Sequence, residues 1–428
     1  MNNYNYDVVV IGGGSAGMAA ALKAREQTTS VLLIERNACL GGILNQCVHN
    51  GFGLTYFKTE MTGPEYANAF VQKMKDSDIS VMLETTVTKI RDRKFPINIL
   101  NKITKKTQYL LEVMSPLGAF KINAKAIVLA MGCRERPAGA INLCGTRPAG
   151  VMSAGCAQKI VNIYGKKIGE RAVIIGSGDI GLIMARRLTF EGTKVLGVYE
   201  VQSYPSGLKR NIVQCLDDYN IPLHLSKTIV EVVGKDRVEG IYVAPVNPDF
   251  SMDLTKKEFI PCDTVILSVG LIPENTIASD YGIELDNVTG GAIVDEFLQT
   301  NKEGIFACGN VLHVHDIVDN VSVEAETCGT NAGKFAKGQL AQTNSVSIKC
   351  GNGIRYTVPK TLFTGSGVSY IRFRVGKVFE NTNLIVKCGE EIIVSKEKPI
   401  MLPAEMETLV IDKSKVTGDI TIEVKEDK

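Results

Sequence analysis

The strongest constraint on this chain is a local pattern that occurs twice. Asp7–Ile11 (DVVVI) is a short β-branched run that opens directly into Gly12-Gly13-Gly14-Ser15-Ala16-Gly17. A helix-like stretch follows, Met18–Glu26, and then the run VLLIE, which ends on Glu35. Strand, glycine turn, helix, strand and acid in this order describe a unit that holds a dinucleotide. Gly12 permits the tight turn, Gly14 lets backbone approach a phosphate, and Gly17 lets helix and strand pack closely, with Ser15 and Ala16 opening the helix. Glu35 stands where an acceptor for a ribose 2′-hydroxyl is expected.

The pattern returns at Ala172–Ile175 (AVII), Gly176-Ser177-Gly178-Asp179-Ile180-Gly181, a helix through Leu188, and a strand that ends at Glu200. The far ends repeat as well. KAIVLAMG carries Ala130 and closes on Gly132, while DTVILSVG closes on Gly270, so each unit receives a late parallel strand. Two separate dinucleotides are implied, in an α/β chain with two Rossmann-like domains.

Composition narrows the class of partner. A chain of 428 residues with 45% hydrophobic content buries a sizeable core and suggests roughly three domains. Its 48 basic and 46 acidic side chains nearly cancel, which argues against nucleic acid or an anionic membrane surface. The first apolar run is too short for a secretion signal, and no stretch approaches the roughly 18 apolar residues of a membrane span, so a cytoplasmic protein is expected. Eleven cysteines without a Cys-x-x-Cys pair read as reduced thiols, with neither a zinc site nor an iron-sulfur cluster in this chain. No metal is expected.

At this point the chain resembles the flavoproteins with two dinucleotide-binding domains, the superfamily of glutathione reductase, thioredoxin reductase and NADH oxidases. TNKEGIFACGN, Thr300–Asn310, matches their return segment, with Gly309-Asn310 where the pattern has Gly-Asp. The resemblance covers roughly the first 340 residues. It implies FAD on the first unit and NAD(H) on a second unit inserted into the first. Arg36, Gly42, Val87, Gly309 and Asn310 join the FAD contacts by the same implication. The resulting partition is 1–150 and 269–344 for the FAD domain, 151–268 for the NAD(H) domain and 345–428 for a small β-rich docking module.

The redox dithiol of the disulfide-reductase branch is missing, since Cys39 and Cys47 flank Gly41-Gly42 at a spacing that does not match. GGILNQCVHNGFG, GCRERP, GTRPAGVMSAGCAQ and ACGNVLHVHDIVD look like a narrower subgroup. It comprises the FAD/NAD subunits of hydrogen cyanide synthase, sarcosine and opine oxidases and dye-linked proline dehydrogenase, with an oxidoreductase that accompanies glycerol-3-phosphate dehydrogenase-like flavoproteins. That resemblance implies an oligomer in which this chain passes electrons between NAD and a second flavoprotein subunit or a small iron-sulfur protein. A stand-alone NADH oxidase or reductase of a small-molecule redox substrate, and a binding subunit without turnover, are the competing readings.

Individual residues carry further expectations. Glu200 favours NAD(H) over NADP(H) by repelling a 2′-phosphate, although Lys209 and Arg210 lie close behind it in the chain. In the superfamily topology the loop Gly41–Gly53 runs beside the flavin, making Cys47 a candidate redox thiol and His49 a candidate proton relay, against a packed apolar thiol and a loop-bonded histidine. His313 and His315 are expected at the flavin edge or a subunit contact. Glu324 and Glu326 are expected to compensate the dipole at the start of a helix running roughly from Ala325 to Ala341.

Overall fold

The computed structural model describes residues 4–92, 109–340 and 344–426. They form two compact units, Met1–Cys133 with Pro273–Lys428, and Arg134–Ile272.

In the first unit Tyr4–Ile11 lies inside a parallel sheet, with Val31–Ile34 on one side and Gly118–Leu129 on the other. Its last four residues, Val8–Ile11, are buried on both faces, which is why they read as an unbroken apolar run. The helix Ser15–Gln27 buries Ala16, Ala19, Ala20, Ala21 and Ala24. Those small side chains let the helix Val318–Ala336 press against it. A Cβ on Gly329 would stand 2.0 Å from the Ala20 carbonyl oxygen, so the two backbones touch.

Gly118–Leu129 is where the sheet branches. Its first half pairs antiparallel with Tyr109–Ser115, and Ile127–Leu129 pair in parallel with Ile305–Ala307. The late strand therefore delivers Cys308, Gly309 and Asn310 at the same sheet end as Gly12 and Ala130.

The second unit repeats the parallel core, in the order Val151–Ser153, Thr264–Leu267, Arg171–Ile175, Lys194–Tyr199, Leu223–His224. Ala172 and Ile174 face the helices, while Val173 and Ile175 face a second sheet that contains Lys227–Gly234 and Val238–Pro245. The expected boundary at 150/151 moves to 133/134. Cys144–Gly145 pairs with Lys227–Gly234, and Ala149 bridges to Arg237, so residues 134–150 belong to the second unit. The other boundary moves from 268/269 to 272/273.

The segment from Ser345 is β-rich, with its own core around Ile371, Phe373, Val386, Ile420 and Ile422. It is not a separate unit as expected. Lys360–Asp286 at 2.9 Å, Lys413–Glu296 at 2.8 Å and the stacked Phe297–Phe363 rings join it to the rest of the first unit. Among the described residues no helix is long and apolar enough to cross a membrane.

Candidate functional site

Each glycine turn is shaped by what a side chain would strike. Gly12 has φ of +108°, and a Cβ there would lie 2.4 Å from the Ala130 carbonyl oxygen. A Cβ on Gly17 would lie 1.7 Å from the Gly12 carbonyl oxygen, so only hydrogen fits where helix meets strand. Gly14 has nothing within 4 Å of its Cβ position, and the helix it precedes has neither a side-chain cap nor an acid in its first turn. Free N–H groups therefore face open space in front of Ser15 and Ala16, the environment that a pyrophosphate needs. Gly176 repeats Gly12, with its Cβ position 2.2 Å from the Ser268 carbonyl oxygen, but here the Ser268 hydroxyl lies 3.2 Å from the Gly178 Cβ position and accepts from the Gly181 N–H in the first turn of the helix.

Both acids at the strand ends are buried and turned toward their turns. Glu35 accepts from the Gly13 N–H at 2.6 Å and from the Asn37 N–H and side-chain amide, both at 2.8 Å. Glu200 accepts from the Ser177 N–H at 2.9 Å, the Ser177 hydroxyl at 2.5 Å, the Ser206 hydroxyl at 3.0 Å and the Gln202 N–H at 3.0 Å. Asp179 opens the second helix and accepts from the Leu208 N–H at 2.8 Å and the Asn211 amide at 2.7 Å. That ties the start of the Lys209–Cys215 helix, with exposed Lys209 and Arg210, to the second turn. Ile180 packs half-buried behind it, and Gly270, at φ +100°, has open space at its Cβ position.

The loop after Glu35 returns to the first turn. A Cβ on Gly42 would lie 3.1 Å from the Gly14 Cα, so this loop passes against the turn itself. Arg36 is exposed, Val87 is buried in the sheet, and Gly132 leaves the closing strand at φ +71°. The Cys47 thiol donates to the Ile43 carbonyl at 3.3 Å, and burial pushes it up to about 12. It therefore carries its proton at neutral pH, the opposite of an activated thiolate. His49 is half-buried, with Nδ1 at 3.0 Å from the Asn50 carbonyl and its ring 4.9 Å from Phe52.

A residue that the sequence reading missed holds this loop in place. Asp319, buried in the first turn of Val318–Ala336, accepts from the N–H groups of Gly53 (2.9 Å), Thr55 (2.7 Å) and Tyr56 (3.1 Å) and from the Thr55 hydroxyl (2.7 Å). Nothing local in the sequence signals it beyond an acid near a helix start.

Glu324 overturns one expectation. The helix begins at Val318 instead of Ala325, which puts Glu324 in its second turn and fully buried, away from the dipole role; Ala341 lies outside the described residues. Glu324 accepts from the Gly309 N–H at 2.8 Å and His313 Nε2 at 2.7 Å, with Arg372 Nη1 at 3.3 Å and His315 Nε2 at 3.4 Å. Burial holds His313 neutral, down at about 4, so its Nε2–H donates to Glu324. Burial alone would raise the Glu324 carboxyl, but the two histidines and Arg372 outweigh it and hold it well below its usual range. His313 is fully buried and so is not at a subunit contact. The two histidines and Glu324 could surround a metal ion, yet Arg372 already supplies positive charge to the same carboxylate oxygen. Asn310 braces its own loop, accepting from the His315 N–H at 3.0 Å and donating to Cys133 Sγ at 3.7 Å. Glu326 is half-buried and accepts from the Tyr56 hydroxyl.

Comparison with known proteins gives the family and the fold. The model of the pyridine nucleotide-disulphide oxidoreductases matches residues 6–336. Hydrogen cyanide synthase subunit HcnB of Pseudomonas protegens is 26% identical over 293 residues, 64% of this chain and 59% of that protein, so the chain spans about three fifths of its length. An opine oxidase subunit of Agrobacterium tumefaciens is 25% identical over 377 residues, 80% of this chain and 68% of that protein. The thioredoxin reductase of T. acidophilum superposes with a TM-score of 0.61 at 22% identity, over 78% of this chain and 99% of its own. That likeness shows the fold.

Proposed function

Since this chain belongs to the pyridine nucleotide-disulphide oxidoreductase family, which binds FAD and uses NAD(P)H, we propose that its two turns divide those cofactors between them. The first turn with Glu35 holds FAD, and the second with Glu200 holds NAD(H). When both are bound, the cofactors supply hydride transfer between nicotinamide and flavin. The chain's own work is to orient them: helix N–H groups face the pyrophosphates, and the buried acids face the riboses.

The observation that carries this reading is the duplicated glycine turn at a helix start, each with a buried acid bonded to the second N–H of its turn. NAD(H) is favoured over NADP(H) because the donors around Glu200 include no arginine. Its carboxylate repels a 2′-phosphate.

We further infer that the electrons leave to, or arrive from, a partner subunit. The thiol spacing of a disulfide reductase is absent, and the Cys47 thiol stays protonated. One relative is named as a subunit of hydrogen cyanide synthase and another as a subunit of opine oxidase. Those names support a partner subunit; the partner we propose is a second flavoprotein that oxidises an amino acid, an amine or glycerol 3-phosphate.

The test is anaerobic titration of the purified protein with NADH and, separately, NADPH, following flavin absorbance. Fast bleaching by NADH and much slower bleaching by NADPH is the expected result. A yellow protein that neither nucleotide bleaches would overturn the relay.

A further inference from the structure

Two opposite charges in the first unit face one cleft without pairing. The cleft, of about 480 Å³, lies where the helices Ser15–Gln27, Gly63–Lys75 and Val318–Ala336 meet. Its size suits a small molecule. Leu22 and the Tyr56 ring give it apolar surface, with Ala19 and Phe70 buried beneath them, while Lys73 and Glu326 contribute charges that make no salt bridge among the described residues.

The other cations there are already engaged. Lys23 pairs with Glu26 at 2.8 Å, and Arg25 makes a two-pronged contact with Asp78. Lys73 has no carboxylate within 4.0 Å among the described residues. Its ammonium is held instead over Phe57, Phe70 and Tyr56, at 5.0, 5.3 and 5.6 Å from the ring centres. Glu326 has no cation within 4.0 Å among the described residues, Lys23 attracting it only from beyond that range, and the Tyr56 hydroxyl holds it. Burial, and then the Glu326 carboxylate, push the Tyr56 hydroxyl up, so it remains a donor across neutral pH. Opposite charges that line one cleft attract each other, and these two are each anchored elsewhere. The space between them suits a ligand that carries both complements.

We propose that this cleft binds the zwitterion of an α-amino acid with an apolar or aromatic side chain. The ligand's ammonium meets Glu326, its carboxylate meets Lys73, and its side chain lies against Leu22 and the Tyr56 ring. The site goes beyond the hydride-transfer reading and does not depend on it. It has a route to the flavin-side loop, because the Tyr56 N–H is bonded to Asp319 together with those of Gly53 and Thr55.

The experiment is calorimetric titration of the flavin-loaded protein with L-phenylalanine and L-leucine, beside 3-phenylpropionate and phenethylamine, which each carry one of the two charges. L-phenylalanine should bind, and each single-charge probe should bind about tenfold more weakly or worse, as expected for loss of one charged contact. Lys73→Met and Glu326→Gln should each weaken L-phenylalanine to a similar extent, while Lys73→Arg restores binding. Flavin content and melting temperature show that each variant is folded. Equal affinity for 3-phenylpropionate would leave a simple anion site and overturn the proposal. So would the absence of binding heat from L-phenylalanine and L-leucine with the folded, yellow protein.

Discussion

In the first unit and the second, the same two peptide groups fix the acid, and different side chains finish the job. Glu35 takes N–H groups from Gly13, the second residue of its turn, and from Asn37, two positions after itself. Glu200 takes them from Ser177 and Gln202, the matching positions. Further bonds come from one amide in the first unit and from two serine hydroxyls in the second, leaving Glu35 Oε2 and Glu200 Oε1 with one protein donor each. The closing strands differ in the same way. Ala130 offers only backbone to Gly12, whereas the Ser268 hydroxyl also accepts from the Gly181 N–H at 3.1 Å. The first turn is pressed from outside as well, by Gly42 against Gly14 and by Gly309 against Ala16. Backbone sets where the acid stands. The first site is then held by packing, the second by hydroxyls that can be removed singly.

The largest effects should come from a methyl group added to either turn. In Gly17→Ala the new carbon would lie 1.7 Å from the Gly12 carbonyl oxygen, a backbone atom that cannot rotate away. Overpacking of this kind costs about 1–3 kcal/mol or more. The variant should purify nearly colourless and melt lower, by about 2–4 °C for each kcal/mol lost. In Gly181→Ala the nearest atoms are the Ser268 side chain, at 2.7 and 2.9 Å, and the Gly176 carbonyl at 3.0 Å, so part of the clash can be relieved by a rotamer. It should stay yellow and lose affinity for NADH. Equal flavin loss in both variants, read from the ratio of visible to ultraviolet absorbance, would break the comparison.

Removing charge or a hydroxyl should act more gently. Glu200→Gln keeps the shape but weakens every charge-assisted contact, so NADH affinity should fall about tenfold. NADPH, which lacks the favourable ribose contact to begin with, should lose less and narrow the preference. Ser206→Ala removes one neutral donor of several, worth about 0.5–1.5 kcal/mol, and should weaken NADH by a few-fold. Neither change should alter flavin content, whereas Glu35→Gln should. A Ser206→Ala effect as large as that of Glu200→Gln would mean that the hydroxyl network, more than the charge, positions the ribose.

What could be read from sequence follows from the same distinction. Both turns, both acids and both closing strands were legible because their order and spacing are local and the steric demands on glycine leave few alternatives. The placement of residues 134–150 was not, since it depends on Cys144–Gly145 finding Lys227–Gly234 far along the chain. The start of the Val318–Ala336 helix was misplaced for a related reason. Ile317 precedes it with no capping side chain, so no local signal marks the boundary, and Glu324 was read as a first-turn residue. Asp319 and Arg372 owe their roles to partners in distant segments. Neither carries a motif.

The smallest effect should come from the residue that the sequence singled out for chemistry. Cys47 sits on the loop that presses against the first turn, and its thiol is held up at about 12 by burial. At pH 9 the thiolate is then about one part in a thousand, so ionisation of Cys47 cannot shape a pH–rate profile between 6 and 9. Cys47→Ser should leave flavin content and the pH dependence of NADH-driven flavin reduction unchanged. A step in the wild-type profile near pH 8 that Cys47→Ser abolishes would reverse this assignment. The thiol would then be activated on the loaded enzyme, and the first unit would supply a nucleophile as well as a nucleotide site.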